Sequence, residues 1–312
     1  MFTSLLEIPI IDFHTHLGNI FPMKTRVDLE AETGSPPSLM ITSPDMINPR
    51  ELFYRNRLQP FSFNYLKHGL RVLYWKRKMI QGATIPNLQK SMKKYGIYQS
   101  VALPIEYTSE KEETSVLELI RVCGKYREII PFCSVDPRDP KAKDRLKYYL
   151  IQGARGLKLH PNLQRFKPSD PICLEICEEA SRYSLPIIFH TGTKGTESHP
   201  EQIPSNLENF ESIFPMFPQT TFILGHMGIS QYRQAIRLAQ RYQNIYLETS
   251  GQPTAHIRQA IESVGGDKIL FGSDWPLWDP IHPLKAVWDA TGKDLALRKR
   301  ILYENAREIL KI

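Results

Sequence analysis

Apolar residues in this chain gather into short runs, and the stretches between them repeat at helical spacing. Ile10-Ile11-Asp12-Phe13-His14-Thr15-His16 reads as a buried strand whose end turns polar. From Ile85 the alternation becomes regular. Helical patterns over 87–95, 112–126, 141–152, 172–183, 207–216, 231–242 and 255–264 each precede an apolar run. Those runs lie at 97–104, 129–135, 154–160, 185–190, 220–226, 244–249 and 268–273, and a last helical stretch covers about 294–312. Strands that alternate with helices form parallel sheets, and eight such units predict a closed (β/α)8 TIM barrel.

One region breaks the rhythm. Residues 17–83 begin as loop, with Pro22, Pro36, Pro37, Pro44, Pro49 and Pro60. They continue as an aromatic and basic stretch, Phe61–Gln81, with Leu66, Leu70, Leu73 and Tyr74 at helical spacing among Lys67, Arg71, Lys76, Arg77 and Lys78. The pattern predicts one barrel domain over 1–312 with an insertion or cap at about 17–83. The helix is read as capping the barrel or joining subunits, with a homodimer as one outcome, rather than as lying on a membrane surface.

Composition narrows the class. The chain has 312 residues, 41% hydrophobic and 23% charged, as ordinary globular domains do. Its formal charge of +7 favours anionic partners, a small carboxylated or phosphorylated molecule, nucleic acid or an anionic membrane surface, and does not choose between them. Four cysteines without a CxxC pair give no disulfide framework and point to reduced thiols and a cytoplasmic protein. No signal peptide and no membrane-spanning run is visible.

The chemistry collects at the predicted strand ends, where barrels of this class place their active sites. Alternation along a strand puts His14 and His16 on one face, with Asp12 one layer deeper. Strand 4 ends in Lys158 and His160, strand 5 in His190 and strand 6 in His226. Strand 7 offers Glu248 and Ser250, and strand 8 ends in Asp274. Imidazole and carboxylate are common ligands of zinc and its neighbours. Trp275 and Trp278, next to Asp274, suggest an aromatic wall for substrate. His199 and His282 are read as loop residues over the mouth, and His68 and His256 as surface helix residues.

The Asp-x-His-x-His opening, Lys-Leu-His-Pro, Phe-His-Thr-Gly, Gly-His-Met-Gly, Phe-Gly-Ser-Asp-Trp-Pro and the closing Glu-Asn-Ala-Arg-Glu-Ile-Leu occur in one order along the chain. In that order they resemble the amidohydrolase superfamily, and within it the amidohydrolase-related (amidohydrolase 2) branch that includes aminocarboxymuconate-semialdehyde decarboxylase and the resorcylate decarboxylases. The resemblance implies one divalent metal, Zn2+ ahead of Mn2+ or Fe2+, held by His14, His16, His190 and Asp274, with water completing the shell. It implies that His226 stands beside that water as acid/base, with Asp274 also able to take a proton. Lys158, His160, Glu248 and Trp275 are then candidates to touch substrate or to orient the ligands. At strand 4, binuclear superfamily members carry a carboxylated lysine or a glutamate, and Lys158 with His160 favours one metal over two.

The expected function is hydrolysis: metal-activated water attacking an amide, ester or lactone of a small carboxylated substrate. The alternative is non-oxidative decarboxylation of a small aromatic or unsaturated acid, a lyase reaction with the same ligand pattern. A TatD-like nuclease is a lesser alternative, because such nucleases carry a glutamate at the strand-4 position.

Overall fold

The computed structural model describes residues 8–21, 25–37, 63–107, 115–193, 199 and 202–312, with the backbone alone for 63–69, 71 and 72. Strands follow the chain as β1 (Ile10–Thr15), β2 (Ile97–Ala102), β3 (Ile129–Pro131), β4 (Leu157–Leu159), β5 (Ile187–His190), β6 (Phe222–Gly225), β7 (Ile245–Glu248) and β8 (Ile269–Leu270). All neighbouring pairs are parallel, in two arcs, β1-β2-β3 and β4-β5-β6-β7-β8. Single bridges from Cys133 to Leu157 and from Thr15 to Trp275 join the arcs. Lys158 N donates to Cys133 O at 2.8 Å, and Phe13 N to Phe271 O at 2.9 Å, across the same two seams. This is the expected (β/α)8 barrel, with seams held by few hydrogen bonds.

The helices are α1 (Phe63–Gly82), α2 (Ile85–Tyr95), α3 (Ser115–Cys123), α4 (Ala142–Ile151), α5 (Pro171–Arg182), α6 (Tyr232–Arg241), α7 (Thr254–Val264) and α8 (Ile281–Thr291). The chain closes with α9 (Leu295–Lys299), a π-turn (Arg300–Glu304) and α10 (Asn305–Leu310). Local chemistry sets their ends. In α2, Pro86 sits in the first turn, where its missing N–H costs nothing, and Gly96 stops the helix at φ 69° with its N–H on Met92 O. The buried Ile85, Leu88 and Met92 of α2 share one face, three or four residues apart. At the end of α1, Met79 and Ile80 are buried, while Leu70, Leu73 and Tyr74 are exposed.

Two apolar layers result. The outer one, with Ile10, Leu157, Leu159, Ile187, Phe189, Phe222, Leu224, Leu247 and Phe271, packs the strands against the helices. The inner one holds Ile11, Phe13, Val101, Ile130, Phe132, Ile188, Ile223 and Leu270, closed by Ala306 and Leu310 of α10. Alternation then aims Lys158, His160 and His190 inward above that layer. β1 is less regular than expected. Its pairing slips between Asp12 and Thr15, so strict alternation does not describe its upper end.

Three expectations need correction. Residues 207–216 do not form one helix but a 3-10 turn, Leu207–Phe210, and a single turn, Ile213–Met216. Pro215 lacks the N–H that a continuous helix would use. Second, α8 occupies a stretch read as loop, so His282 lies in a first helical turn rather than in a loop over the mouth. Third, β8 spans two residues rather than six. Residues 22–24 and 38–62 of the expected cap lie outside the described residues. No helix among the described residues is long and apolar enough to cross a membrane.

One buried carboxyl beyond β2 makes stability depend on pH. Glu106 is 5% exposed; its Oε1 accepts from Tyr149 Oη at 2.9 Å, and its Oε2 has no hydrogen-bond partner among the described residues. Burial lifts this carboxyl from 4.5 to about 7, against the pull of Tyr149 and Arg145. The folded state therefore holds the proton longer than the unfolded state, and stability falls as pH rises from about 4.5 through 7. Glu106→Gln should remove this dependence and stabilise the protein by up to about 3 kcal/mol at pH 8, with little gain at pH 4.5. Urea midpoints at the two pH values check it, and an equal gain at both would exclude Glu106 as the titrating group.

Candidate metal centre

Five histidines meet at the C-terminal rim. The rings of His14 and His16 lie 5.0 Å apart, those of His14 and His226 4.7 Å, and those of His190 and His226 4.8 Å, centroid to centroid. His160 stacks on His190 at 3.9 Å. Asp274 comes in from the end of β8 in left-handed backbone, φ 60°, with its N–H on His14 O at 2.7 Å. Its Oδ1 stands 3.2 Å from His16 Nε2 and 3.6 Å from His14 Nε2.

The far nitrogens set the tautomers. His16 Nδ1 donates to Leu103 O at 2.7 Å and His14 Nδ1 to Glu248 Oε2 at 2.7 Å. Both Nε2 atoms therefore turn a lone pair toward the carboxylate. Lone pairs and a carboxylate oxygen this close repel each other unless a cation lies among them, and three such donors suit a divalent metal. Lys158 supplies part of that charge: its Nζ is 3.4 Å from His14 Nε2. The residues fit a metal.

His14, His226 and Asp274 bring one ligand atom each within 4.8 Å of one another. His190 is not in that group. It stands one ring further out, between His160 and His226. The expected ligand set takes His190 rather than His226, and the two rings stand side by side at the rim, 4.8 Å apart.

Glu248 ties the centre together. It is fully buried, and its Oε2 accepts from His14 Nδ1, from His226 N at 3.0 Å and from Ser250 Oγ at 2.8 Å, while Oε1 accepts from Ser250 N at 2.5 Å. Because Ser250 spends its hydroxyl proton on Glu248, it accepts from His226 Nδ1 at 2.7 Å. That leaves His226 Nε2 free to face the mouth. The backbone of Gly272 makes room for this carboxylate: a Cβ there would lie 2.1 Å from Glu248 Oε1 and 2.7 Å from His14 Cβ. Asp12 clamps the seam below. It accepts from Ser273 Oγ at 2.5 Å, Ser273 N at 2.8 Å and His14 N at 3.1 Å, and burial raises its carboxyl to about 7.

Burial, reinforced by the Lys158 ammonium and by neighbouring imidazoles, holds His14, His160 and His190 well below the ordinary histidine value. It does the same to His226 against the pull of Asp274. These are neutral rings with lone pairs to share. Burial also lowers the Lys158 amine to about 8, against the pull of the Asp274 and Glu248 carboxylates. His160 Nδ1 accepts from Leu163 N at 3.4 Å, and its own N–H donates to Gln164 Oε1 at 2.8 Å. Trp275 is 5% exposed and belongs to the outer apolar layer, with its carbonyl on His16 N at 2.7 Å. Its indole packs the barrel wall.

The backbone after β6 is unusual. His226, Met227, Gly228 and Ile229 all have positive φ, 59°, 46°, 75° and 51°. Each non-glycine residue in that region costs about 1–2 kcal/mol, so neighbouring groups must hold the turn. Gln252, which pattern reading missed, is one of them. Its Nε2 donates to His226 O at 2.5 Å and to Ile229 O at 3.2 Å. Gln164 is another omission, with its buried amide on the carbonyls of Glu106 and Val135 beneath His160. A carboxamide beyond a strand end gives no signal until the fold shows what it holds.

Comparison with known proteins gives the family and corrects the reaction. The family model described as Amidohydrolase matches residues 109–312. Over 122 residues the chain is 32% identical to gamma-resorcylate decarboxylase of Polaromonas sp. strain JS666; the match takes in 32% of this chain and 37% of that protein. It therefore spans little more than a third of that curated relative's length. Among solved structures, dihydroxybenzoic acid decarboxylase of Polaromonas sp. JS666, with bound manganese and the inhibitor 2-nitroresorcinol, superposes with a TM-score of 0.66 at 16% identity over 97% of both chains. The 5-carboxyvanillate decarboxylase of Sphingomonas paucimobilis gives 0.63 at 14% identity, over 98% of this chain and 100% of that one. At such identities the structures establish the fold. The relatives act as decarboxylases, which overturns the expectation of a hydrolase.

Proposed function

The chain belongs to the amidohydrolase family, and from that premise we propose that it is a metal-dependent, non-oxidative decarboxylase of a small aromatic or unsaturated acid. The metal part of the reading is carried by the meeting of two imidazole lone pairs with Asp274 Oδ1, at 3.2 and 3.6 Å, beside a buried ammonium, and decarboxylation is favoured over hydrolysis by the similarity to gamma-resorcylate decarboxylase. His14, His16 and Asp274 hold one divalent metal, zinc or manganese, and His190 is the fourth ligand. A metal bound there supplies a Lewis acid for the oxygens of the substrate.

The chain's own groups do the rest. Lys158 carries positive charge inside the rim and pairs with the substrate carboxylate. His160 and His190, stacked at 3.9 Å, offer a flat wall to an aromatic ring. His226 moves the proton. Burial makes its ring a weak base, so its protonated form is a strong acid, as protonation of an aromatic carbon demands. His226 Nε2 first takes a proton from solvent and then passes it to the ring carbon: the N–H bond breaks as the C–H bond forms, the C–C bond to the carboxylate breaks with its electron pair returning to the ring, CO2 leaves, and His226 is neutral again. Ser250 Oγ and Glu248 hold the His226 ring in place throughout.

The test is CO2 release from 2,6-dihydroxybenzoate, 5-carboxyvanillate and related acids by protein loaded with Zn2+ or Mn2+. CO2 and the decarboxylated phenol in equal amounts are expected. Absence of CO2 from every acid in such a panel, with metal bound at one equivalent, would remove the reading.

A further inference from the structure

We infer that Gln252, itself oriented by His256, is the positioning residue that sets where His226 presents its Nε2. The inference rests on the role proposed above for His226. Positive φ at every residue from His226 to Ile229 marks a tight turn, and the carbonyls at its two ends lie within reach of one donor. Gln252, 2% exposed, reaches both of them with one amide nitrogen. Carbonyl oxygens only accept, so the NH2 of Gln252 must face them and its Oε1 must face away. That oxygen meets His256 Nδ1 at 2.8 Å, so His256 donates there and keeps the carboxamide from turning over.

His256 is fixed in turn. It sits in the first turn of α7, and its ring stacks on Tyr232, the first residue of α6, at 3.5 Å and 12°. The line from Tyr232 through His256 and Gln252 ends on the carbonyl of His226, outside the metal ligands and outside Glu248. Partners of this kind around a site commonly change activity 10- to 100-fold when removed, without touching the reacting atoms.

The test uses the full-length, zinc-loaded protein. Gln252→Glu keeps the size and replaces the two donated hydrogens with oxygen lone pairs. His256→Phe keeps the stack and removes the donor. His256→Asn loses the stack and restores an N–H at the Nδ1 position. Gln252→Glu and His256→Phe should lower kcat about 10-fold or more, with KM and metal content unchanged, and His256→Asn should recover most of the loss. The 15N resonances of the His226 ring, identified by their loss in His226→Asn, should move in the first two variants and return in the third, with or without a turned-over substrate.

The inference is overturned if those resonances stay in place in His256→Phe, or if His256→Asn behaves like His256→Phe. If Gln252→Glu does not fold, the His256 pair decides alone. Full turnover in His226→Asn would instead fail the proton-transfer role while leaving the positioning result readable.

Discussion

Asp274→Ala should leave the protein without its metal and lower turnover by about 10³-fold or more. The carboxylate is the one anionic ligand in the set, and its Oδ1 stands opposite both imidazole lone pairs of β1, at 3.2 and 3.6 Å. Lewis-acid stabilisation amounts to several kcal/mol of transition-state charge, and each 1.4 kcal/mol is about tenfold in rate. Metal content by elemental analysis is the primary reading, because it does not depend on substrate. The barrel should persist, since Asp12 and Ser273 hold the same seam without Asp274. Full metal occupancy in Asp274→Ala would take this residue out of the ligand set and the proposed chemistry with it.

His226→Asn should act differently: metal stays and turnover falls by about 10²-fold or more, the usual size of an acid–base contribution. The asparagine can keep a hydrogen bond to Ser250 Oγ but has no second nitrogen to carry a proton across. The variant also separates two assignments that the geometry brings close together. His226 shares a 4.8 Å cluster with His14 and Asp274, while His190 lies one ring away. Loss of metal in His226→Asn, with metal retained in His190→Ala, would exchange their roles.

The order of strands and the inward histidines were legible because a strand end exposes side-chain chemistry at the edge of an apolar run. His190 closes β5, His226 follows β6, and Lys158 lies in β4. What stayed hidden depended on contacts between distant residues. The sequence shows a glutamate near a strand end at Glu248, but not that it gathers hydrogen bonds from both the β1 and β6 histidines. α8 was missed because Pro280 and Pro283 read as loop; yet Pro283 stands in a first turn, where no N–H is needed. Residues 207–216 failed in the opposite direction, since apolar spacing there outweighed Pro215 in the reading. The reaction itself was not legible, because hydrolysis and decarboxylation ask for the same ligands.

The β8–β1 seam has a wider consequence. His14 lies in the opening strand with His16 just past its end, and Asp274 follows the closing one by four residues, so their shared ion would grip the two ends of the sheet at the place where the backbone ladder is thinnest. Ion uptake and the tightening of an already joined cylinder are then thermodynamically linked. The cation would serve as a clasp, tying more than two hundred and fifty residues of intervening chain into a ring, and its availability would decide how tightly that ring is drawn.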